Sequence, residues 1–184
     1  MNAAAWLKLS TAGISDALDR LGLAGQALGV APLNHAFRCA GQAFTVRMAP
    51  AAGVKGSVGD YIDDVARDSI IVIDNGARLD CTVWGDILTT VAHRRAIAGT
   101  VINGVCRDVA RSFELNYPLF TRGAYMRTGK DRVQVEAYNA PVSLGSVRVE
   151  PGDWLIGDAD GVVVVTQSRA EEVLRLAQVI EGVD

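Results

Sequence analysis

Apolar residues recur at two different spacings along the chain, and each spacing predicts its own kind of secondary structure. In residues 9–22, LSTAGISDALDRLG, the apolar positions Ile14, Leu18 and Leu21 share one face of a helix. A serine–threonine pair precedes that face as a helix cap, and a glycine follows it as a stop. Residues 39–49, CAGQAFTVRMA, alternate instead between apolar and polar positions, which predicts a strand.

The middle of the chain alternates between helical and strand patterns. A helical pattern at residues 61–68 is followed by the β-branched strand SIIVIDN at residues 69–75 and then by a loop. A helix is predicted over residues 86–96, a strand over residues 99–105, and another helix after Asp108. Two β-branched strands joined by a helix predict a βαβ unit, with parallel strands and a right-handed connection.

In the final third of the sequence, short strand patterns follow one another without intervening helices. Residues 133–166 form successive short strand patterns, separated by turns at residues 139–141, 150–153 and 158–161. An amphipathic helix is predicted from Ser168 onward. The whole pattern therefore predicts a mixed α/β fold whose second half is rich in strands.

Length and composition narrow the class of protein. A chain of 184 residues with 49% hydrophobic content suits a single domain over residues 1–184 with a well-filled core. No apolar run approaches the roughly 20 residues needed to span a bilayer. The opening MNAAAWLKLS lacks the long apolar segment of a secretory signal. We therefore expect a cytoplasmic protein with no membrane partner.

Charge and metal-ligating residues restrict the possible partners. The formal net charge is −3, and no basic block exceeds the Arg94-Arg95 doublet, so we expect no nucleic-acid partner. The three cysteines show no CxxC spacing and are interpreted as buried core residues, and the two histidines form no metal motif. A bound metal would therefore need oxygen ligands, which favours Mg²⁺, Mn²⁺ or Ca²⁺ over zinc. The glycine-rich residues 51–60 lack the spacing of a phosphate loop and are interpreted as a plain loop.

Two polar clusters lie where the elements of the βαβ unit meet. Gly85 and Asp86 stand at the start of the predicted helix, and Arg107 and Asp108 follow the second strand. Consecutive strands are usually neighbours, and ligands of open α/β sheets gather outside the carboxyl ends of the strands. Both clusters would then project to the same edge of the sheet.

The residue types in these clusters suit an anionic ligand and a cation. The first amides of the helix, at Asp86, Ile87 and Leu88, would offer N–H donors to a carboxylate. Arg107 would offer a bidentate fork for a carboxylate or keto-acid oxygen. Asp108 and Asp86 would offer hard oxygens to a divalent cation and its waters.

A structural interpretation of the same residues stays open. Aspartate is among the best helix-capping residues, so Asp86 and Asp108 could simply cap the helices that follow them. Arg107 could then be a surface ion-pair partner of either aspartate. Gly85 and Gly104 slightly favour a binding site, because residues without a Cβ allow a ligand to approach the backbone closely.

The order Asp86, twenty residues, Arg107-Asp108 resembles the D-x20-R-D motif of the RraA-like family. That family includes class II aldolases acting on 4-hydroxy-4-methyl-2-oxoglutarate or 4-carboxy-4-hydroxy-2-oxoadipate, and regulators of ribonuclease E activity. Three further segments look like family blocks in the family order, so the resemblance covers nearly the whole chain. They are LSTAGISDALDRLG, AGTVINGVCRDV and VRVEPGDWLIGDADGVVVV.

The resemblance implies a fold, an assembly and a role for each site residue. The fold would be a swivelling α/β/β sandwich with a central mixed sheet, assembled as a homotrimer or hexamer with active sites between subunits. Asp108 would be the direct protein ligand of Mg²⁺ or Mn²⁺, and Asp86 would hold some of the waters of the cation. Arg107 would bind the pyruvyl part of the substrate, and the backbone amides from Gly85 to Leu88 would bind its carboxylate.

The activity implied by the resemblance is that of a metal-dependent lyase. Such an aldolase cleaves a 4-hydroxy-2-oxo acid to pyruvate, while the metal and Arg107 oppose the negative charge of the enolate. Oxaloacetate decarboxylation would be a side activity, because it needs the same stabilisation. The alternative is a non-catalytic protein that binds and regulates ribonuclease E. A menaquinone methyltransferase is not supported, because the sequence has no glycine-rich nucleotide turn after a first strand.

Several other polar residues are weaker candidates. Many family aldolases carry an acidic residue three positions after the motif aspartate, whereas this chain has Arg111, which we expect to alter the outer shell of the cation or the distal end of the substrate. Glu181 could reach the site of a neighbouring subunit. Asp158, Lys130 and His93 are interpreted as a turn residue, an exposed loop residue and a structural residue.

Overall fold

Helices and strands follow one another in the computed structural model in nearly the order that the sequence predicts, over the described residues 2–53 and 56–183. The helices of this part are α1 (Ala3–Trp6), α2 (Thr11–Arg20), α3 (Asp86–Arg94), α4 (Val109–Glu114) and α5 (Ala170–Glu181), with 3₁₀ helices at Asp60–Asp64 and Gln167–Arg169. Its strands are β1 (Ala31–Pro32), β2 (Cys39–Pro50), β3 (Ile70–Thr82), β4 (Gly99–Val105), β5 (Leu119–Thr121), β6 (Val133–Tyr138), β7 (Val142–Leu144), β8 (Val147–Val149), β9 (Trp154–Asp158) and β10 (Gly161–Val165). Residues 54 and 55, within the predicted loop 51–60, lie outside the described residues. None of the helices so described has the length and apolarity needed to cross a membrane.

The main sheet is mixed, with the strand order β1-β5-β4-β3-β2-β9-β10 and with β6 also paired to β2. The central pairs β2–β3, β3–β4 and β4–β5 are parallel, and the outer pairs are antiparallel. Strand β2 serves both halves of the sheet: residues 39–42 pair with β9, and residues 46–50 pair with β6. The predicted α/β fold with a central mixed sheet is confirmed, and so is the parallel β3-α3-β4 unit.

Two predicted element boundaries are wrong, for local reasons. Strand β3 does not end at residue 75 but continues through the predicted loop to Thr82, with shifts of register against β4 on both sides of Arg78. Gly76 has a φ of 61°, and such a left-handed residue lets extra residues bulge out of a ladder without ending it. The helical pattern at residues 61–68 forms only a short 3₁₀ helix, because Val65 is extended and buries its side chain in the core.

Two hydrophobic clusters stabilise the fold. The larger one covers the parallel half of the sheet, where Ile70, Ile71, Val72 and Ile73 of β3 are fully buried. The smaller one is built from α1, α2 and α5 against β9 and β10, and it includes all the buried apolar residues of α2. Each fully buried aliphatic side chain contributes about 1.5–3 kcal/mol, so the sheet centre and the helical layer are both firmly held.

The three cysteines are single buried thiols, as the sequence predicts. Burial raises the pKa of all three thiols, that of Cys39 to about 12 and that of Cys106 to about 11. These side chains therefore stay protonated at neutral pH and act as small core residues.

Candidate active site

The segments that follow β3 and β4 are joined directly by their backbones. The Arg107 N–H donates to the Trp84 carbonyl oxygen at 3.0 Å. The buried Trp84 indole donates to the Thr89 hydroxyl at 2.8 Å, and this hydroxyl donates to the Gly85 carbonyl oxygen at 2.8 Å. The ring of Trp84 also stacks on Tyr117, with centroids 6.2 Å apart. The start of α3 is therefore fixed against the loop that carries the Arg-Asp pair.

Only some of the backbone N–H groups at the amino end of α3 have hydrogen-bond acceptors among the described residues. Gly85 occupies the capping position and has no side chain to cap with. The Asp86 N–H donates to Asp108 Oδ2 at 3.3 Å, and the Ile87 N–H donates to Asp86 Oδ1 at 2.8 Å. The Leu88 N–H has no hydrogen-bond partner among the described residues. Two carboxylates thus already lie at this helix end, and one donor remains available for an anion.

Asp108 is turned away from the helix that it precedes. Its backbone is left-handed, with φ 55° and ψ 41°, a conformation that aspartate tolerates better than most residues, and its side chain makes no capping bond to α4. Its Oδ2 instead lies 3.4 Å from Arg107 Nε and 3.3 Å from the Asp86 nitrogen. Asp108 makes no capping bond to α4, so the capping interpretation is wrong for this residue. Asp86 is the first residue of α3 and accepts from the Ile87 N–H, so its carboxylate stays at its own helix end. The two polar clusters converge.

The two glycines singled out in the sequence have different reasons to be small. A Cβ on Gly85 would stand 2.7 Å from Asp108 Oδ2, so any larger residue would displace this carboxylate from its present position. A Cβ on Gly104 would stand 3.1 Å from the Cβ of Asn75 and 3.3 Å from the Arg78 carbonyl oxygen, both on the neighbouring strand. Close packing within the sheet explains Gly104, so its assignment to a binding site is corrected.

A cleft of about 560 Å³ opens in front of the amino end of α3, a volume within the usual range of ligand pockets. Five of the predicted site residues line it: Gly85, Asp86, Ile87, Leu88 and Arg107. The sixth, Asp108, faces a neighbouring depression of about 300 Å³, which Arg107 also lines. Arg107 therefore stands between the cleft and the Asp108 carboxylate.

The opposite wall of the cleft was missed by sequence reasoning. It is formed by residues 57–60, 62 and 63, together with the segment at residues 128–129. The side chain of Leu88 packs on Gly59, where an added Cβ would come within 2.8 Å of it. Arg95 at the end of α3 donates to the Asp63 carbonyl oxygen at 2.7 Å, which ties this wall to the helix. The glycines of the 51–60 loop were the one available signal.

The Asp108 carboxylate fits a hard divalent cation. Only its Oδ2 is engaged, and Oδ1 has no partner among the described residues. The side chain is 41% exposed, so water can reach it. Within the described part of the chain no group of three His, Cys, Asp or Glu side chains could hold a metal by protein ligands alone. Water and substrate oxygens would have to complete the shell, as Mg²⁺ usually permits.

Arg111 and Glu181 are engaged outside the cleft. Arg111 donates to the Thr90 hydroxyl and to Glu114 Oε2, both at 3.0 Å, and so ties α4 to α3. Glu181 accepts hydrogen bonds from the backbone N–H of Ser10 at 3.0 and 3.2 Å and from its hydroxyl. Both side chains therefore have structural contacts within their own chain.

The remaining candidates also lie away from the cleft. Asp158 is 7% exposed and accepts from the Thr11 N–H at 2.8 Å, from the Thr11 hydroxyl at 2.7 Å and from the Asp160 N–H at 3.0 Å. It therefore supports its own turn, as predicted, and also joins β9 to α2. Lys130 and His93 are exposed, and neither lines the cleft.

Comparison with known proteins identifies relatives along most of the chain. The family model described as RraA-like, Aldolase/RraA, matches residues 11–164. Protein DlpA of Legionella pneumophila is 41% identical over 172 residues, or 91% of this chain, but the chain spans only 28% of the length of that relative. A protein of Halalkalibacterium halodurans named "Putative 4-hydroxy-4-methyl-2-oxoglutarate aldolase" is 37% identical over 172 residues, covering 92% of this chain and 79% of the relative.

A solved structure agrees with the same assignment. Streptomyces coelicolor RraAS2, described as an unusual member of the RNase ES inhibitor RraA protein family, superposes with a TM-score of 0.88. It is 28% identical in sequence, and the match covers 98% of this chain and 92% of RraAS2. With the family model and two relatives above 30% identity, the chain belongs to the RraA-like family.

Proposed function

We propose that the chain is a divalent-metal-dependent class II aldolase, a carbon–carbon lyase that cleaves a 4-hydroxy-2-oxo acid to pyruvate. The observation that carries this proposal is the convergence of the free Leu88 N–H, the Arg107 guanidinium and the Asp108 carboxylate around one cleft and the depression beside it. A helix amide, a guanidinium and a hard oxygen ligand are what a 2-oxo acid and its cation need together. The name of the Halalkalibacterium relative supports 4-hydroxy-4-methyl-2-oxoglutarate as the first substrate to test.

Substrate binding would use the amino end of α3. The substrate carboxylate would accept from the Leu88 N–H and would replace the carboxylates that now accept from the Asp86 and Ile87 N–H groups. Arg107 would donate to the pyruvyl oxygens, in charge-assisted bonds that are roughly twice as strong as neutral ones. Gly85 keeps this approach open, because it presents no side chain.

The cation would be held by Asp108, and Asp86 would orient its water ligands. When bound, Mg²⁺ or Mn²⁺ supplies Lewis-acid polarisation of the keto oxygen. Both carboxylates suit this role because they are exposed oxygen ligands next to the cleft. No lysine Schiff base is required.

The chemical step is a retro-aldol cleavage. A base, which Asp86 would orient, takes the proton of the C4 hydroxyl, the C4–O bond becomes a carbonyl, and the C3–C4 electron pair forms the enolate of pyruvate. Arg107 opposes the charge that grows on the C2 oxygen, and a proton added to C3 then gives pyruvate. Oxaloacetate would lose CO₂ to give the same enolate, so we include its decarboxylation as a side activity.

The proposal includes a homotrimer or hexamer with sites between subunits. Support comes from apolar side chains that stand exposed next to the predicted cation ligand: Ile87 and Met126 are each 74% exposed, and Tyr125 is 38% exposed. Tyr125 and Met126 also line the depression that Asp108 faces. A neighbouring subunit that covers this surface would exclude water from the reaction. Light scattering of the purified protein measures the assembly.

The test is pyruvate release from 4-hydroxy-4-methyl-2-oxoglutarate and from oxaloacetate, coupled to lactate dehydrogenase. Assays with Mg²⁺, with Mn²⁺ and with EDTA measure the metal requirement. Asp108→Ala should lose activity, whereas Asp16→Ala is the matched control, because Asp16 is an exposed aspartate on α2 that has no part in the cleft. We expect release that needs the cation and Asp108 and does not need Asp16.

The second candidate function is the binding and regulation of a ribonuclease. The likeness to RraAS2, which is described within an RNase ES inhibitor family, favours it over other binding functions. If folded, metal-supplemented protein releases no pyruvate from either acid, the aldolase proposal fails. Co-purification of the chain with a ribonuclease of the E type, in the absence of RNA, would then support the regulator.

A further inference from the structure

The cleft has two chemically different halves. The half described above carries Arg107 and the amino end of α3. The other half, further along α3, is lined by apolar and acidic side chains: Val58, Asp60, Ile62, Asp63, Leu88 and Val91. A substrate whose carboxylate occupies the first half would present its C4 substituents to the second.

The apolar part of this distal wall is anchored to the core. Leu88 and Val91 are three residues apart and share one face of α3, and Val91 lies about 9 Å along the axis from Gly85, at 1.5 Å per residue. Val58, Leu88 and Val91 are partly buried and packed against the main cluster, and Ile62 is 6% exposed. The wall therefore offers a fixed apolar surface.

The polar part of the distal wall is acidic. The Asp60 carboxylate has no hydrogen bond or ion pair among the described residues. Asp63 is 82% exposed and lies 3.4 Å from Arg95 Nη1, which offsets part of its charge. Arg107, at the other end, is the only cationic side chain among the described residues that line the cleft. A second substrate carboxylate here would lose water against apolar groups and meet Asp60.

Resting on the proposed function, we infer that this site selects 4-hydroxy-2-oxo acids whose C4 substituents are uncharged and apolar over dicarboxylates. Asp60, Ile62, Leu88 and Val91 are the specificity residues. The reaction is the same cleavage: the C4 hydroxyl loses its proton, the C3–C4 bond breaks, and C4 leaves as a neutral ketone or aldehyde while C3 is protonated in pyruvate. Discrimination arises both from apolar contact with the preferred substituent and from repulsion of the charged one.

A matched pair of substrates isolates this preference. 4-Hydroxy-4-methyl-2-oxopentanoate gives pyruvate and acetone, and 4-hydroxy-4-methyl-2-oxoglutarate gives two pyruvates. The two acids differ only in a methyl or a carboxylate on C4. We expect kcat/KM, counted per cleavage, to be higher for the pentanoate by about tenfold or more, the range expected for a group misfitted to an apolar pocket.

Two aspartate-to-lysine variants, one in the distal wall and one just outside it, test whether the wall itself sets the substrate preference. Asp60→Lys should reduce the preference for the pentanoate by about tenfold, because it supplies a partner for the second carboxylate. Asp64→Lys is the matched control: Asp64 is an exposed aspartate of the same 3₁₀ helix that does not line the cleft, so the preference should stay as in the wild type. Pyruvate release from oxaloacetate should remain detectable in both variants, which shows that the Arg107 half of the cleft still works.

The possible results lead to different conclusions. A preference for the pentanoate that Asp60→Lys narrows and Asp64→Lys does not supports the inference. A preference for the dicarboxylate, or a ratio that Asp60→Lys leaves unchanged, overturns the inference while pyruvate release leaves the aldolase proposal standing. No pyruvate from either acid or from oxaloacetate overturns both.

Discussion

Carboxylates meet the amino ends of two helices in this molecule, α2 and α3, with different results. At α2 the Ser10 hydroxyl accepts from the Gly13 N–H at 3.0 Å, Glu181 accepts from Ser10, and Asp158 accepts from Thr11. Asp158 is 7% exposed, so its hydrogen bonds are sheltered from water. This helix end is closed, and its charges stabilise the packing of α2 on α5 and β9.

The amino end of α3 is less completely closed, although carboxylates accept from its first two N–H groups. Gly85 provides no capping side chain, the Leu88 N–H has no partner among the described residues, and Asp108 is 41% exposed. The same kind of residue therefore closes one helix end and leaves the other available to a ligand. The degree to which the helix amides are satisfied separates a structural carboxylate from a functional one.

Removal of the Arg107 guanidinium should produce the largest loss of activity. A loss of stability as well would contradict the contrast between the open end of α3 and the closed end of α2. Arg107→Lys keeps the charge but loses the bidentate geometry, so we expect kcat/KM for pyruvate release to fall by about 10²–10³-fold. The free energy of unfolding should change by less than about 0.5 kcal/mol, because the side chain is half-exposed. Enzyme assays and urea denaturation measure the two quantities, and a large loss of stability would contradict an open, functional site.

The converse variant is Asp158→Ala at the closed end. It leaves the Thr11 N–H and hydroxyl without their buried acceptor, so the free energy of unfolding should fall by about 2–3 kcal/mol. Pyruvate release per folded molecule should stay as in the wild type. Asp160→Ala, on the exposed side of the same turn, is the matched control and should leave stability nearly unchanged. Lost activity in a folded Asp158→Ala protein would show that the two helix ends are coupled.

Two glycines allow the same chemical change to be made at each helix end. A Cβ on Gly85 would press on Asp108 Oδ2, and a Cβ on Gly13 would press on the Glu181 carboxylate. Gly85→Ala should therefore lower kcat/KM by about 10–100-fold, because a misplaced ligand of this kind costs up to 10²-fold, with little change in stability. Gly13→Ala should instead lower the free energy of unfolding by about 1 kcal/mol and leave kcat/KM unchanged. A loss of stability in Gly85→Ala together with a loss of activity in Gly13→Ala would contradict the distinction between the two helix ends.

Much of the fold and part of the site could be predicted from the sequence, because local patterns specify them. Apolar spacing specified α2, β2 and β4, and the rule for parallel strands brought Asp86 and Arg107 to one edge of the sheet. The direction of the Asp108 side chain could not be predicted, since it depends on a left-handed backbone that the capping interpretation does not contain. Gly85 and Gly104 support a binding site equally well when only the sequence is known. Their neighbours in the folded chain show that one leaves space beside Asp108 and the other packs within the sheet. The wall at residues 57–63 is distant in sequence, so no local pattern joins it to α3.

Oxalate should produce the smallest effect, and it sharpens the contrast through a binding measurement that needs no turnover. Its adjacent carboxylates reproduce the carboxylate and keto oxygens of a 2-oxo acid, so in the presence of Mg²⁺ it should bind the open end of α3 and leave the closed end of α2 untouched. At ten times its Kd, binding to the folded state alone adds about 1.4 kcal/mol of stability, which raises Tm by about 3–5 °C in a chain of this size. Calorimetry should detect this rise in the wild type and in Asp158→Ala, and no rise in Arg107→Ala. An equal rise in all three proteins would mean that oxalate binds elsewhere and that the unsatisfied Leu88 amide is not an anion site.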